Sequence, residues 1–442
     1  MLPSTEIFID IIFILLHLLA FLFTFIILEK KIFQPAVLFS FVWFAIVTLR
    51  FIFQFSVLDQ LEPISVEAYL IFFIGTVFFS VGSILIYFSL KKVNFYPATS
   101  VPSKIEFNTF ARLLFLAIIL LCLPFYILAA YKIFIASQIE GFFMSLRYEL
   151  SYGNADIGPL KYLMPLSYVI LALNLHSYYS NRNKLNLAIV LVTFLVTTIY
   201  AVLATGRTFF FMIFVIYLGI SFLSNKKFSI KKLATSFAFF LGVFIFFGIM
   251  LGKGGNTDEN VKDNIKASTE FLGIYLVSSL NAFDVELKQH TTSSLQGDNS
   301  MRFFLKAAMQ LDLLPRRNIK EPKQEFVFVP YPTNTYTYYN YYMLDFGRGY
   351  AWIMLFLYGA LHTWLYHQAV ELKIRRCMLY YTFLLFPLML SFFSDLYLSL
   401  FSFWVQLVFF TELLFFINRL FKKDMLPGRA ENSIYREHNT TG

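Results

Sequence analysis

Three cationic residues lie at or immediately before the beginnings of apolar segments, Lys161, Arg207 and Arg348, and Arg147 in the first outer loop is a fourth. A helix N-terminus carries partial positive charge and free N–H groups, so a cation there is unfavourable unless an anion joins it. Several such cations at one surface would suit a phosphate or a pyrophosphate, and the planar fork of arginine matches phosphate oxygens. Contact with lipid phosphates would explain any single one of them, and Glu149 could pair with Arg147. Among these cations, Arg207 most strongly indicates a specific binding site. The connection in which it lies is too short to carry the residue far from the helix ends.

The segment 326–350 is the second group of residues that could bind a ligand, and it contains seven tyrosines. Tyrosine offers an apolar face to the C–H faces of a sugar ring and a hydroxyl to its rim. The interfacial belt of membrane proteins uses the same residue, which is the alternative explanation. Proline, asparagine and glycine in the segment predict a structured turn region that leads into the next helix. We predict that saccharide binds here, at Asn334, Tyr336, Tyr338 and Tyr339.

Motifs for metal or nucleotide chemistry are sparse. The sequence has neither a Gly-rich Walker loop nor an HExxH motif. The carboxylates of Asp284 and Glu286 have the spacing of a divalent-metal pair, but such a pair is common by chance. Cys122 and Cys377 lie far apart and indicate neither a disulfide framework nor a metal site. We therefore predict no metal and no cofactor.

The elements that position these residues follow from composition. Hydrophobic residues make up 58% of the 442 residues and charged residues only 14%, too few charges to cover the surface of a soluble fold. Apolar runs close to the length of a bilayer core recur along the chain, and these predict an all-α polytopic membrane protein. The net charge of +9 is then expected in cytoplasmic loops and indicates no nucleic-acid partner. The first run, Ile7–Leu28, lacks the features of a signal peptide and predicts a retained helix.

About eleven transmembrane helices are predicted. Lysine and arginine concentrate in the connections after every odd-numbered helix, which places the N-terminus outside and the C-terminus in the cytoplasm. Arg50 lies inside the second helix, and we expect it to extend to the outer headgroups rather than to reach an acid in the bundle. The predicted helices cover approximately 6–28, 35–55, 66–90, 110–136, 159–180, 185–204, 207–224, 233–252, 349–370, 378–396 and 399–420.

Two outer loops exceed the others in length. The first covers about 137–158, and the second covers 253–348, where 11 Lys/Arg balance 11 Asp/Glu. The second loop is expected to form an extracytoplasmic domain. Its apolar stretch Phe271–Phe283 is too short to span a bilayer and predicts an amphipathic or re-entrant helix. The predicted organisation is a membrane domain at 1–252, the loop domain at 253–348, further membrane helices at 349–423 and a cytoplasmic tail at 424–442.

The chain resembles the O-antigen polymerase (Wzy) family of bacterial oligosaccharide repeat-unit polymerases. The resemblance covers the whole architecture, with many helices, a moderate outer loop and a long one in the C-terminal third. It implies a membrane fold like that of GT-C glycosyltransferases. Local similarity lies in Leu146-Arg147-Tyr148 to Lys161-Tyr162, in Thr205-Gly206-Arg207-Thr208, and in Pro332-Thr333-Asn334-Thr335-Tyr336-Thr337 with Asp345-Phe346-Gly347.

The resemblance implies a glycosyltransferase of the bacterial inner membrane. Its donor and acceptor would be undecaprenyl-pyrophosphate-linked oligosaccharides, with membrane lipids and a chain-length regulator as further partners. The pyrophosphate leaving group would be stabilised by Arg147, Lys161, Arg207 and Arg348. Fixed guanidinium groups would then replace a metal.

The same resemblance implies a group that accepts the proton of the acceptor hydroxyl. Asp345 and Asp395 are candidates beside Arg207 as catalytic residues, although Asp345 could equally be a helix cap. Asp284, Glu149 and His290 meet the same requirement, and the sequence does not choose among them. Arg302 is a further candidate for saccharide contact, with solvent exposure as its alternative.

Two other functions compete with polymerisation. An O-antigen ligase would use the same donor with a lipid A-core acceptor and a catalytic histidine in the long loop, where His290 is the only histidine. A lipid-linked oligosaccharide flippase would need ionisable residues along a path through the middle of the bilayer. The cations of this chain gather instead at predicted outer helix ends, which favours polymerisation.

Overall fold

The computed structural model describes residues 4–56, 61–92, 107–151, 153, 155–224, 235, 238, 242, 261–289, 297–319, 325–329 and 332–423. The described residues are mostly helical, and six of their helices are long and apolar enough to cross a membrane. This agrees with an all-α polytopic membrane protein, to which the structure adds only one pair of two-residue β-strands. Eleven spans, a long outer loop domain and a GT-C-like arrangement stay predictions.

The elements follow the chain in this order: α1 (Ser4–Ile27), α2 (Pro35–Ser56), α3 (Val66–Lys92), α4 (Thr109–Ala136), α5 (Phe142–Ser151), a 3₁₀ helix (Gly158–Tyr162), α6 (Leu163–Ser180), α7 (Lys184–Leu203), α8 (Arg207–Ser224), α9 (Val261–Gln289), α10 (Arg302–Gln310), β1 (Val327–Phe328), β2 (Pro332–Thr333), α11 (Tyr338–Phe346), α12 (Arg348–Val370), α13 (Arg375–Met389) and α14 (Phe401–Lys423).

Most predicted helices are confirmed to within a few residues, but two differ. The helix predicted at 378–396 ends at Met389, two residues after the internal Pro387; proline removes a backbone donor and strains the preceding turn. The apolar stretch Phe271–Phe283 is only the middle of α9, which has 29 residues. The predicted helix 233–252 and the tail 424–442 lie outside the described residues, except that 235, 238 and 242 are helical.

The chain forms two compact units. Unit 1 comprises Met1–Pro102 and Ile230–Ser402, and unit 2 comprises Ser103–Ser229 and Phe403–Gly442. Unit 1 therefore contains α1–α3 and α9–α13, and unit 2 contains α4–α8 and nearly all of α14.

In unit 1, α3 and α12 approach each other at two glycines. A Cβ atom on Gly82 would overlap the carbonyl oxygen of Phe356, and one on Gly359 would overlap that of Phe79. Small residues at such a crossing allow the two backbones to come into contact. The hydroxyls of Ser83 and Thr363 then form a hydrogen bond of 2.5 Å across the same interface.

We expect Gly359→Ala to lower thermal stability, because its methyl group would displace the α3 backbone rather than a flexible side chain. Overpacking of this kind typically costs about 1–3 kcal/mol. The matched control is Gly349→Ala in the same helix, where a Cβ meets nothing within 4 Å. Thermal unfolding of the purified proteins in detergent measures both changes. Equal unfolding temperatures for the two variants would contradict this packing.

Ion pairs at the helix ends indicate that α1, α3 and α12 of unit 1 run in the same direction. Lys31, after α1, pairs with Glu371, after α12, at 3.0 Å. At the opposite ends of these helices, Glu67 in the first turn of α3 pairs with Arg348 at the start of α12. The N-termini of α3 and α12 therefore share one end of the unit. The side of the membrane that this end faces stays a prediction.

Unit 2 is held by polar contacts between its apolar helices. The Tyr200 hydroxyl donates to the carbonyl oxygen of Ile119 at 2.8 Å, which joins α7 to α4. Asn174 on α6 donates to Thr193 on α7 at 2.9 Å. Such side-chain bonds between helices satisfy polar groups that water cannot reach.

Candidate functional site

Arg207 is the first residue of α8, as predicted. The turn before it is tight, because Thr205 has a φ of 56° in the left-handed region and a Cβ on Gly206 would lie 2.6 Å from the Phe209 ring. The Tyr168 hydroxyl donates to the carbonyl oxygen of Phe209 at 3.0 Å. This backbone geometry fixes the start of α8 within unit 2.

Lys161 lies in the short 3₁₀ helix of unit 2. It is exposed, and its Nζ atom forms an ion pair of 3.1 Å with Asp156. The Lys161 ammonium and the Gly158 N–H hold the pKa of the Asp156 carboxyl below its usual value. Because both side chains are exposed, this pair is weak and an incoming anion could compete for the lysine.

Arg147 lies in α5 of the same unit and is half-buried. Its Nη1 atom is buried and has no hydrogen-bond partner among the described residues. The Glu149 carboxylate, which could have paired with it, accepts a hydrogen bond from Ser137 at 3.1 Å. A buried guanidinium nitrogen without a partner is costly, so an added acceptor such as a phosphate oxygen would stabilise it.

Arg348 in unit 1 is the first residue of α12, as predicted, and follows Gly347, whose φ of 82° allows the turn. The side chain is exposed and forms an ion pair with Glu67. Sequence reasoning identified the cation but not this partner. Its binding to pyrophosphate stays a prediction.

Asp345 anchors a turn in unit 1. Its carboxylate is buried and accepts four hydrogen bonds, two from Asn299 and two from Ser300, with the shortest of 2.6 Å from Ser300 N. These bonds fix residues 297–300 immediately before α10. Asp345 therefore holds a turn in this structure, and its catalytic role stays a prediction.

Asp395 lies in the irregular segment 390–400, outside the spanning helices. The carboxylate is buried and accepts hydrogen bonds from Tyr342 Oη at 3.1 Å, Tyr397 N at 2.9 Å and Ser399 N at 3.0 Å. The Tyr342 hydroxyl is in turn 3.0 Å from that of Tyr358. Burial raises the pKa of the Asp395 carboxyl to about 6, although these hydrogen bonds oppose the shift.

The raised pKa of Asp395 predicts a pH-dependent stability. A folded pKa of about 6 against an ordinary 3.8 means that the folded protein binds a proton that the unfolded chain has released. Protonation of Asp395 therefore stabilises the folded state by roughly 3 kcal/mol at most. This stabilisation is complete below about pH 4 and is lost as the pH rises through about 6. We expect the unfolding temperature of the wild type to fall over this window relative to Asp395→Asn. Parallel pH profiles in thermal unfolding would contradict the shift.

Three tyrosines predicted to bind saccharide are packing residues in this structure. Tyr339 is fully buried and its hydroxyl donates to the Phe72 carbonyl oxygen at 3.1 Å. Tyr338 is also buried, and Tyr336 donates from a buried position to the Glu325 carbonyl oxygen at 3.0 Å. These contacts leave no ring face open to a sugar, so saccharide binding by them stays a prediction that requires a rearrangement.

The other residues that the sequence proposed for binding or catalysis are Asn334, Arg302, Asp284 and His290. Asn334 is half-buried between β2 and α11, and Arg302 begins α10 and is half-buried. Asp284 accepts from Ser65 and pairs with Lys288 at 2.8 Å. The described residues contain no group of acids, histidines and cysteines that could hold a metal. His290 lies outside the described residues.

The network around Arg50 is the feature that sequence reasoning missed. Arg50 is fully buried and does not extend to the headgroups, so that expectation is wrong. Its Nη1 atom pairs with Asp10 at 3.1 Å and its Nη2 atom donates to the Glu62 carbonyl oxygen at 2.6 Å. The Tyr69 hydroxyl donates to Asp10 at 2.6 Å. The sequence feature that could have indicated this network is Asp10, an acid within the first apolar run. Opposite charges inside apolar helices are expected to pair.

The candidate residues fall into two groups. Unit 2 holds Arg147, Lys161 and Arg207; unit 1 holds Arg302, Asn334, Tyr336, Tyr338, Tyr339, Asp345, Arg348 and Asp395. Within unit 1, the Asp345 turn, the start of α12 and the Glu67 pair lie together.

Comparison with known proteins gives one informative similarity. No family model matches the sequence, and no solved structure matches it. The chain is 29% identical over 247 residues to a protein of Shigella dysenteriae described as O-antigen polymerase. The alignment covers 53% of this chain and 56% of that protein, so the chain spans about half the length of the curated relative that it matches.

Proposed function

We propose that the chain takes part in O-antigen synthesis, or in that of a related surface polysaccharide, as a polymerase of undecaprenyl-pyrophosphate-linked oligosaccharide repeat units. The observation that carries the proposal is the similarity to the Shigella dysenteriae O-antigen polymerase over about half of each chain. The apolar helices support a multi-pass membrane protein. We place it in the bacterial inner membrane, with its N-terminus in the periplasm, its C-terminus in the cytoplasm and its chemistry at the outer face.

The proposed reaction transfers the growing chain from its lipid carrier to a new repeat unit. The bond between the anomeric carbon and the donor pyrophosphate oxygen breaks. A hydroxyl at the non-reducing end of the acceptor forms the new glycosidic bond and gives up its proton. Negative charge develops on the lipid pyrophosphate, where fixed cations would lower the barrier.

The local geometry of the cations supports this role. Lys161 and Arg348 are exposed and each pairs with one exposed carboxylate, Asp156 and Glu67 respectively. Such pairs exchange readily for a doubly charged phosphate. Arg147 has a buried Nη1 atom with no partner among the described residues, and Arg207 begins a helix. We propose that Arg147, Lys161 and Arg207 of unit 2 bind the pyrophosphate, and pyrophosphate binding by Arg348 of unit 1 is a separate proposal.

Of the two candidate acids, Asp395 fits proton acceptance better than Asp345. A carboxyl with a raised pKa accepts a proton more readily near neutral pH. The Asp395 carboxylate also accepts a hydrogen bond from the Tyr342 hydroxyl, which is itself hydrogen-bonded to the Tyr358 hydroxyl. Asp345 instead accepts four hydrogen bonds that hold the turn at 297–300. We therefore propose Asp395 as the proton acceptor, acting through Tyr342.

Surface-polysaccharide profiling of a deletion strain tests the proposed function. We expect lipid A-core that carries a single repeat unit, and return of long chains when the wild-type gene is supplied. Complete loss of attached polymer with lipid-linked polymer retained would indicate a ligase instead. An unchanged profile would remove the chain from this process altogether.

A further inference from the structure

The helix α10 is amphipathic, and the residues that the structure describes cover its apolar face only in part. Its sequence is RFFLKAAMQ, and none of its nine residues is buried. A helix this short is unstable in water by itself. An apolar surface outside the helix is therefore expected to complete it, as the bilayer interface does for amphipathic helices that lie in the membrane plane.

The residues after α10 extend this apolar surface in a fixed direction. Leu313 N donates to the Ala308 carbonyl oxygen at 2.8 Å and Asp312 N to that of Met309 at 3.3 Å. Asp312 has a φ of 54°, so the helix ends in a Schellman motif. The leucines that follow are held by backbone bonds, yet they are exposed, with Leu311 at 70% and Leu313 at 72%.

Contacts within unit 1 place α10 beside Phe401, with which a candidate membrane span begins. The rings of Phe303 and Phe304 lie 5.1 and 4.5 Å from that of Phe401, the first residue of the candidate span Phe401–Phe421. The turn before α10 is bonded to Asp345, three residues before α12 begins. Helix ends of this kind lie at the level of the lipid headgroups.

The charges of this segment match an anionic headgroup layer. Between 302 and 317 the chain has four cations, Arg302, Lys306, Arg316 and Arg317, and a single acid, Asp312. Lys306 is exposed, as is Arg316, whose pair with Asp312 is 3.5 Å long. Long cationic side chains beside exposed leucines are the composition of a membrane-surface helix.

We propose that 302–314 is an interfacial docking element, with Leu311, Leu313 and Leu314 inserted among the lipids of the bilayer that holds the chain's own spanning helices. The bilayer is the occupant that the position, the exposed leucines and the positive charge jointly favour. This proposal does not depend on the enzymatic role.

Fluorescence quenching in proteoliposomes tests the proposal. The full chain with Cys122 and Cys377 replaced by alanine would carry Leu313→Cys, labelled with an environment-sensitive fluorophore. The matched control is Asn318→Cys, an exposed polar position five residues further along. We expect phospholipids brominated near the headgroup end of the acyl chain to remove most of the fluorescence at 313, and aqueous iodide to remove little. The control should show the reverse.

Two results would overturn the proposal. Strong quenching by iodide at 313 without quenching by brominated lipid would place the leucines in water. Protection from both quenchers would mean that protein covers them, either a second copy or another partner. Because Leu313 is exposed, the substitution leaves the packed core of unit 1 unchanged.

Discussion

Arg50→Met is expected to destabilise the protein more than any other single substitution in unit 1. It would remove the cation from Asp10 and leave a buried carboxylate without its partner. Removing one member of a buried ion pair typically costs about 3–5 kcal/mol. The backbone carbonyl of Glu62 would also lose a donor. The measurement is the amount of folded, monodisperse protein extracted from membranes, followed by its thermal unfolding in detergent.

The control for this prediction is Arg316→Met, because that guanidinium is exposed and its ion pair with Asp312 is 3.5 Å long. An exposed pair contributes about 0–1 kcal/mol, so its loss should be almost neutral. The double variant Asp10→Leu with Arg50→Met should recover part of the lost stability, since no charge is then left buried. Equal stability of Arg50→Met and Arg316→Met would contradict the network.

The Arg50 network also determines the geometry of the end of unit 1 where the candidate residues lie. The carbonyl oxygen of Glu62 accepts hydrogen bonds from both Arg50 and Asn281, each at 2.6 Å. Ser65, three residues further on, donates to Asp284. This connection leads directly into α3, whose Glu67 pairs with Arg348. Arg50 therefore supports the connection that leads into α3.

The helices were largely predictable because a bilayer imposes length and polarity on each apolar run. The bounds of α8 and α12 agree with the sequence prediction to within a residue. The end of α13 was not predictable from hydropathy, because four of the seven residues 390–396 are leucine or phenylalanine. Hydrogen bonds from Tyr397 N and Ser399 N to Asp395 replace the helix there. Polar capping of this kind does not change the hydropathy of the segment.

The candidate site was predictable in its cations but not in their partners. Arg207 and Arg348 were expected at helix beginnings and lie there. The ion pair of Arg348 depends on Glu67, a residue distant in sequence. The burial of the tyrosines was not predictable for a related reason. Residues 338–346 form α11, which turns Tyr338, Tyr339 and Tyr342 into the core of unit 1, whereas the sequence predicted a turn region.

Arg207→Ala is expected to abolish polymerisation while leaving protein abundance unchanged. The cation begins α8 after a tight turn, where the helix dipole disfavours it unless an anion is bound. Removing the cation should therefore not destabilise the helix. The length distribution of surface polysaccharide, compared with that of the deletion strain, measures the effect. Loss of a group that stabilises developing charge typically costs a factor of about 10²–10³ in rate. Surface polysaccharide should then consist of single repeat units.

Arg207→Lys and Arg182→Ala distinguish a phosphate contact from a general effect of charge. Lysine keeps the charge but not the two-pronged geometry, so Arg207→Lys should stay impaired if the phosphate is bound by both nitrogens. Arg182, in the connection between α6 and α7 of the same unit, lies on the predicted cytoplasmic side, and its replacement should leave chain length normal. Long chains of normal length in Arg207→Ala cells, at wild-type protein abundance, would exclude Arg207 from the reaction.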